Sequence, residues 1–367
     1  MNPAAIEAMS SALAIIGNPS SLHADGRAVR KYVEDARDLL AKNIGCAPSE
    51  IIFTGSGTEA NNIAIKGIYW ERNSQHSRPI VITSAIEHQA VLEPAQWLAE
   101  HEGAQHITIP VTEDGVISLD ALQLLVTEHG DSIALISVMH SNNETGVIQP
   151  IADIVEIAGD IPVHSDAIQS WGKVDFSFKA LGLFAASLSG HKVGGPIGIG
   201  ILVLKRGIDI PALIHGGGQE REIRSGTVNA PSIVSLSTAV AQSSYSPHDV
   251  AALRHAFERG IAQVIPEAVI NGAQIERLPG ITSVTIPGAL NETLLLLLDG
   301  EAISCSTGAA CTAGVHRPSH VLEAMGLDEE LVMSTLRFSF GSTSTQNDVN
   351  AVIAALPSVV TRARSAR

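Results

Sequence analysis

Short apolar runs alternate with amphipathic patterns through the first two thirds of this chain, and that alternation leaves few folds open. Strand-like runs stand at Ile51-Ile52-Phe53, Ile80-Val81-Ile82, His106 to Ile109, Ala134 to Val138 and Ile161 to His164. Helical patterns lie between them, at Val29 to Lys42, Gln89 to Glu100, Leu119 to Glu128 and Pro150 to Ala158. Strands and helices in this order imply an α/β fold with a mostly parallel sheet, covered on both faces. Ligands on such sheets bind beyond the carboxyl ends of the strands. Polar residues that follow a strand are therefore the ones to read for chemistry.

The chain has 367 residues, which at about 150 residues per domain predicts two domains. A polar, proline-containing stretch, Ser243 to Pro247, marks the boundary. A helix over Asp249 to Ile265, a strand near Ser283 to Ile286 and a helix near Asn291 to Leu298 follow it. We expect a large α/β domain over residues 13–246. Residues 1–12 and 247–367 form a smaller α+β domain. The basic, polar end, Thr361 to Arg367, is expected to fray. A net charge of −15 argues against direct nucleic-acid binding and against an anionic membrane surface. No apolar run approaches the roughly 18 residues of a membrane span, and no secretory signal opens the chain. Three cysteines in this length are no disulfide framework, so a reducing cytoplasm is expected.

The strongest chemical signal is Ser189-Gly190-His191-Lys192, between the apolar runs Phe184 to Leu188 and Ile199 to Leu204. A lysine there, beside Gly194-Gly195, is placed for covalent chemistry on a carbonyl. Asp166 ends another strand in His164-Ser165-Asp166-Ala167-Ile168-Gln169. A lysine amine and a carboxylate for a ring nitrogen are what pyridoxal phosphate needs most. Gly55-Ser56-Gly57-Thr58 follows a strand and opens a helix, which suits a phosphate or an ordinary turn capped by Thr58. His88 follows the strand Ile80 to Thr83 and could stack on an aromatic cofactor or move protons, or be a plain loop residue. Asn142-Asn143-Glu144-Thr145-Gly146 could bind a substrate carboxylate or a cofactor hydroxyl, or form an Asn/Gly turn.

Cys311 lies in the small-residue run Ser306 to Gly314, which suits a mobile arm carrying a nucleophilic thiol. Cys46 and Cys305 read as small core residues. Cys311, His316 and His320 could form a zinc trio, but no fourth ligand is evident, and no resident metal is expected. Arg337 alternates with apolar residues in Leu336 to Phe340 and is a candidate clamp for a carboxylate.

Together these blocks resemble the cysteine desulfurase family (NifS/IscS-like), among the class V, fold-type I pyridoxal phosphate enzymes. The likeness runs from Gly17-Asn18-Pro19 to Arg337, and includes Gly216 to Arg221 and Arg224-Ser225-Gly226-Thr227. It implies pyridoxal 5'-phosphate as cofactor and a large domain with a mostly parallel central sheet. By the same resemblance Lys192 carries the cofactor, Asp166 holds the ring nitrogen, Gln169 the ring hydroxyl, and His88 stacks on the ring. Gly57, Thr58, Ser189 and His191 would bind the phosphate, with Thr227 from a second subunit of a homodimer. Asn143 and Arg337 would hold the carboxylate of L-cysteine. Cys311 would take the sulfur as a persulfide, pass it to an acceptor such as an iron–sulfur scaffold, and serve as a transient shared iron–sulfur ligand. Rival readings are a selenocysteine lyase, another class V aminotransferase, or a non-enzymatic interaction protein. The family's opening strand, Tyr-Leu-Asp-Asn-Ala-Ala-Thr-Thr, is missing here, and either a truncated or a misassigned start is expected. The family's second histidine after Glu87 is replaced by Gln89.

Overall fold

A computed structural model gives the structure, and it describes residues 1–308 and 318–366. The chain divides into two units. The first comprises Met1–Ile109, Leu119–His140 and Pro150–Ser243; the second comprises Pro110–Ser118, Ser141–Gln149 and Ser244–Arg367.

In the first unit the elements run α1 (Pro3–Leu13), α2 (Ala24–Ile44), β1 (Ile51–Thr54), α3 (Gly57–Arg72), β2 (Ile80–Ser84), α4 (Gln89–His101) and β3 (Gln105–Ile109). They continue with α5 (Leu119–His129), β4 (Ile133–Ser137), α6 (Ile151–Ala158), β5 (Val163–Asp166), β6 (Ala185–Ser189), β7 (Gly200–Leu204) and α7 (Ala230–Ala241). The sheet order is β1-β7-β6-β5-β4-β2-β3. Pairings from β3 through β6 are parallel, and β7 is antiparallel to both β6 and β1. Strands β1, β2, β4, β6 and β7 are buried along their whole length. Burial on both faces explains why they read as continuous apolar runs rather than alternating ones. Helix α3 supplies Ala60, Ile63, Ala64 and Ile68 to a core shared with Ile52, Val81, Leu135 and Leu202.

Because β7 runs back against β6, the segment between them folds over the carboxyl end of β6. Lys192 stands there, in a 3-10 turn over Gly190–Val193 that Gly194 ends at φ +81°. Strand β1 is parallel to β6 through their shared neighbour, so the start of α3 faces the same edge. The sheet thus gathers the ends of β1, β2, β5 and β6 along one rim.

In the second unit the elements are α8 (Pro247–Val264), β8 (Val269–Ile270), β9 (Ile281–Thr285), α9 (Asn291–Gly300), α10 (His320–Ala324), α11 (Glu329–Val332), β10 (Thr335–Ser339) and α12 (Gln346–Ser365). Strands β10, β9 and β8 form an antiparallel sheet. Leu336 and Phe338 join a core with Phe257, Leu294, Leu298, Val349 and Leu356. The two-residue period of a strand puts Arg337 on the opposite face.

Three expectations need correction. Residues 1–12 do not join the C-terminal part: α1 packs on α7, where the Ser235 hydroxyl donates to the Ala5 carbonyl at 2.7 Å. The end of the chain does not fray from Thr361, because α12 runs to Ser365 with Val359, Val360 and Ala363 buried. Arg364 also donates to the Pro287 carbonyl at 2.7 Å and pairs with Glu267. Thr58 is not the cap of α3; Ser56 is, its hydroxyl accepting from Glu59 N at 3.0 Å.

Candidate active site

Asp166 is the last residue of β5 and is 4% exposed. Its Oδ1 accepts from the Ile168 amide at 3.0 Å and its Oδ2 from the Asn61 side chain at 2.7 Å. Burial pushes this carboxyl up from its ordinary range, while the two hydrogen bonds and the charges of His88 and Lys192 draw it back. Three groups predicted from sequence, Asp166, His88 and Lys192, are therefore electrostatic neighbours.

His88 caps α4. Its Nδ1 accepts from the Ala90 amide at 3.0 Å. Glu87 beside it is fully buried, and its Oε1 accepts from the Ser84 hydroxyl at 2.5 Å and the Met139 amide at 2.7 Å. That contact ties the turn after β2 to the end of β4. Burial pushes the Glu87 carboxyl up to about 8. Gln169 accepts from Lys173 Nζ at 2.7 Å.

The start of α3 is packed so closely that a side chain at position 57 would have to displace its neighbours. A Cβ there would lie 2.3 Å from Ile168 Cδ1 and 3.1 Å from Ser189 Cβ. The amides of Gly57 and Thr58 thus open a helix of 16 residues at the rim, where the dipole favours an anion. Ser189 Oγ lies 2.9 Å from His191 Nδ1. Behind this turn, Glu59 accepts from the Gly55 amide at 3.0 Å and from Arg224 Nε at 2.8 Å.

Arg224 follows a turn that the sequence did not reveal. Glu220, Arg221 and Glu222 all have left-handed backbones, with φ of 45°, 59° and 61°. Each such non-glycine residue costs about 1–2 kcal/mol. The compensation is a buried pair: Glu220 Oε1 accepts from Arg37 Nη2 at 2.8 Å, and its Oε2 accepts from Arg37 Nη1 at 3.1 Å and the Phe53 amide at 2.7 Å. Thr227, at the end of this segment, is exposed.

In the second unit, Asn142 and Asn143 serve differently. The Asn142 Oδ1 accepts from the amides of Glu144 and Thr145 at 2.8 and 3.0 Å, which makes it the turn residue. Arg337 Nη1 donates to the Asn143 carbonyl at 2.9 Å. Its Nε is buried with no hydrogen-bond partner among the described residues. Burial lowers the Arg337 guanidinium from its ordinary value, and Glu144 opposes that shift. Cys311 and His316 lie outside the described residues.

The chemistry of these donors fits pyridoxal phosphate. The first unit offers a buried carboxylate, a lysine amine, an imidazole and a helix start, all along one sheet rim. The amide-satisfied Asp166 can hold a ring N–H, and the helix start can hold a phosphate.

Comparison with known proteins agrees. Residues 2–352 match the model of the aminotransferase class-V family, and the chain belongs to it. Within that family it is one of the cysteine desulfurases, which depend on pyridoxal phosphate. It is 46% identical to the IscS-like cysteine desulfurase of Mycobacterium tuberculosis, over 100% of this chain and 95% of the relative. A solved NifS-like protein superposes with a TM-score of 0.89 at 34% identity, covering 99% of this chain and 96% of the other. A structure described as SspA in complex with cysteine has a TM-score of 0.83 at 33% identity, covering 94% and 97%. No helix among the described residues is long and apolar enough to cross a membrane.

Proposed function

We propose that this cysteine desulfurase moves sulfur from L-cysteine to the thiol of Cys311 and then to an acceptor protein, with Lys192, Asp166, His88 and Arg337 in named roles. The observation that carries the reading is the buried Asp166 carboxylate, neighboured by His88 and Lys192 at the sheet rim. Bound pyridoxal phosphate supplies the electron sink that lets the substrate Cα proton leave. Lys192 would hold the cofactor's aldehyde carbon, and its amine would move the substrate Cα proton. Asp166 keeps a proton on the ring nitrogen, Gln169 meets the ring hydroxyl, and His88 covers a ring face. Gly57, Thr58, Ser189 and His191 bind the phosphate, and Thr227 of a second copy completes that site. Asn143 and the unpartnered Nε edge of Arg337 take the substrate carboxylate.

Cys311 then attacks the substrate sulfur as a thiolate. An S–S bond forms, the Cβ–S bond breaks, and protons return to carbon, leaving alanine and a persulfide. The exchange needs no outside oxidant or reductant. The acceptor is an iron–sulfur scaffold, with thiolation of a cofactor or tRNA as the other destination, and the compartment is the cytoplasm. A homodimer is supported by exposed apolar residues near the start of the chain: Leu13, Ile16 and Leu22 are 66%, 85% and 81% exposed.

Borohydride reduction and peptide mapping should label Lys192. Brief exposure to cysteine should place one extra sulfur atom on Cys311, with alanine released in step. A label on another lysine, or sulfur on Cys46 or Cys305, would defeat the assignment.

A further inference from the structure

Asn61 is the fully buried polar residue of α3, and the proposed function gives it no role of its own. It stands between Ala60 and the buried Ile63 and Ala64. A helix interior against the core of a sheet is a poor place for an amide side chain. Its Nδ2 donates to Asp166 Oδ2 at 2.7 Å, while its Oδ1 is buried with no partner among the described residues. The amide therefore has one arrangement, since turning it over would set an oxygen against a carboxylate. The unsatisfied Oδ1 is a cost borne for a single donated bond.

We propose that Asn61 is a positioning residue that fixes the orientation of Asp166 and holds its carboxylate charged for the cofactor's ring nitrogen. This rests on the role given to Asp166 above. The Ile168 amide, two residues along the same turn, fixes Oδ1. Asn61 fixes Oδ2 from a different element, so the two bonds together set the plane of the group. Lone pairs not engaged by these donors are left for a ring N–H. The charged groups facing Asp166 are Lys192 after β6 and His88 before α4, which favour its charge, and Glu87, which opposes a charge beside it. Burial is the largest influence and favours the neutral acid. A neutral amide donor offsets burial without adding a charge that would compete for the carboxylate. Asn61 acts through Asp166, not on the substrate.

Two variants test this. Asn61→Leu removes the donor at similar volume. Asn61→Asp keeps the shape and sets a second carboxyl at the same distance, where two such groups share one proton. Pyridoxal phosphate affinity of the cofactor-free protein is measured by fluorescence titration from acid to alkaline pH, with circular dichroism to confirm the fold. Loss of a hydrogen bond to a charged group should move the acid limb of the affinity profile up by about one to two pH units, a loss of about 10- to 100-fold on that side. Asn61→Asp should move it at least as far. The alkaline limb should stay in place. A merely structural role would lower affinity equally at every pH. An unmoved acid limb in Asn61→Asp, whose volume guards the fold, overturns the proposal even if Asn61→Leu fails to fold. If the wild type shows no acid limb, or Asp166→Ala binds as tightly as wild type, the role of Asp166 itself fails instead.

Discussion

Replacing Glu87 by glutamine should stabilise the cofactor-free protein at alkaline pH and leave it unchanged in acid. Glu87 is fully buried, and burial raises its carboxyl from 4.5 to about 8. The folded state then keeps a proton that the unfolded chain gives up above 4.5. The stability that follows is fully present below 4.5 and is lost as pH rises through about 8. At about 1.4 kcal/mol per pH unit, the whole interval is worth about 5 kcal/mol. Buried histidines act in the opposite direction but only below 6.5, and Asp166, also raised by burial, is common to both proteins, so the difference between them from 6.5 to 8 isolates Glu87. That range alone is worth about 2 kcal/mol. Glutamine keeps an oxygen for the Ser84 hydroxyl and the Met139 amide, the contacts that hold this turn. In a chain of this size about 2 kcal/mol corresponds to roughly 3 °C in thermal midpoint. Differential scanning of both proteins at pH 6.5 and pH 8 reads it directly. Wild type should lose that margin between the two values, and Glu87→Gln should not. Equal losses in both proteins would refute the claim that Glu87 is protonated in the fold.

Below pH 6.5 the wild type should lose stability steeply, because burial lowers His164 to about 3 and His140 to about 4 while the unfolded chain takes up both protons. Acid titration followed by circular dichroism should show a net loss of about 1.4 kcal/mol per pH unit between 6.5 and 4.5, the two histidines at about 2.7 being opposed by Glu87 at about 1.4. Cys46→Ser and Cys305→Ser should both keep desulfurase activity, since burial raises these thiols to about 12 and about 11 and leaves little thiolate; alanine release from cysteine is the check. Glu220→Gln should destabilise the protein by about 1–3 kcal/mol, because it removes the charge that Arg37 and the Phe53 amide share and weakens the left-handed turn, while Arg37 keeps Glu34 and the Ile51 carbonyl. Urea unfolding measures that loss, and a change under 1 kcal/mol would count against the latch.

The fold was legible where burial leaves a simple mark. Strands buried on both faces show as runs such as Ile133 to Ser137, and helices such as α2 show a periodic apolar stripe ended by Gly45 at φ 74°. The candidate site was proposed for the same reason, since a polar block after such a run has few structural excuses. Lys192, Asp166 and His88 all follow strands, and the rule that ligands sit beyond strand ends brings them together. What the sequence hid is what holds them. Asn61 and Asp166 are 105 positions apart, and Arg37 and Glu220 are 183 apart. No local pattern marks either pairing. Glu220 to Glu222 contain no glycine, so nothing announces three left-handed residues; their conformation exists because Arg37 and the Phe53 amide hold Glu220. The same limit explains the misplaced ends. Pro3–Leu13 is a short helix whose place depends on Ser235 reaching Ala5, and the basic tail hides Val359, Val360 and Ala363 on one face. Reactive groups are thus written locally, in residue type and position after a strand. Their orientation and charge are written in distant partners, which is why Asn61 and Glu87 become visible only once the chain is folded.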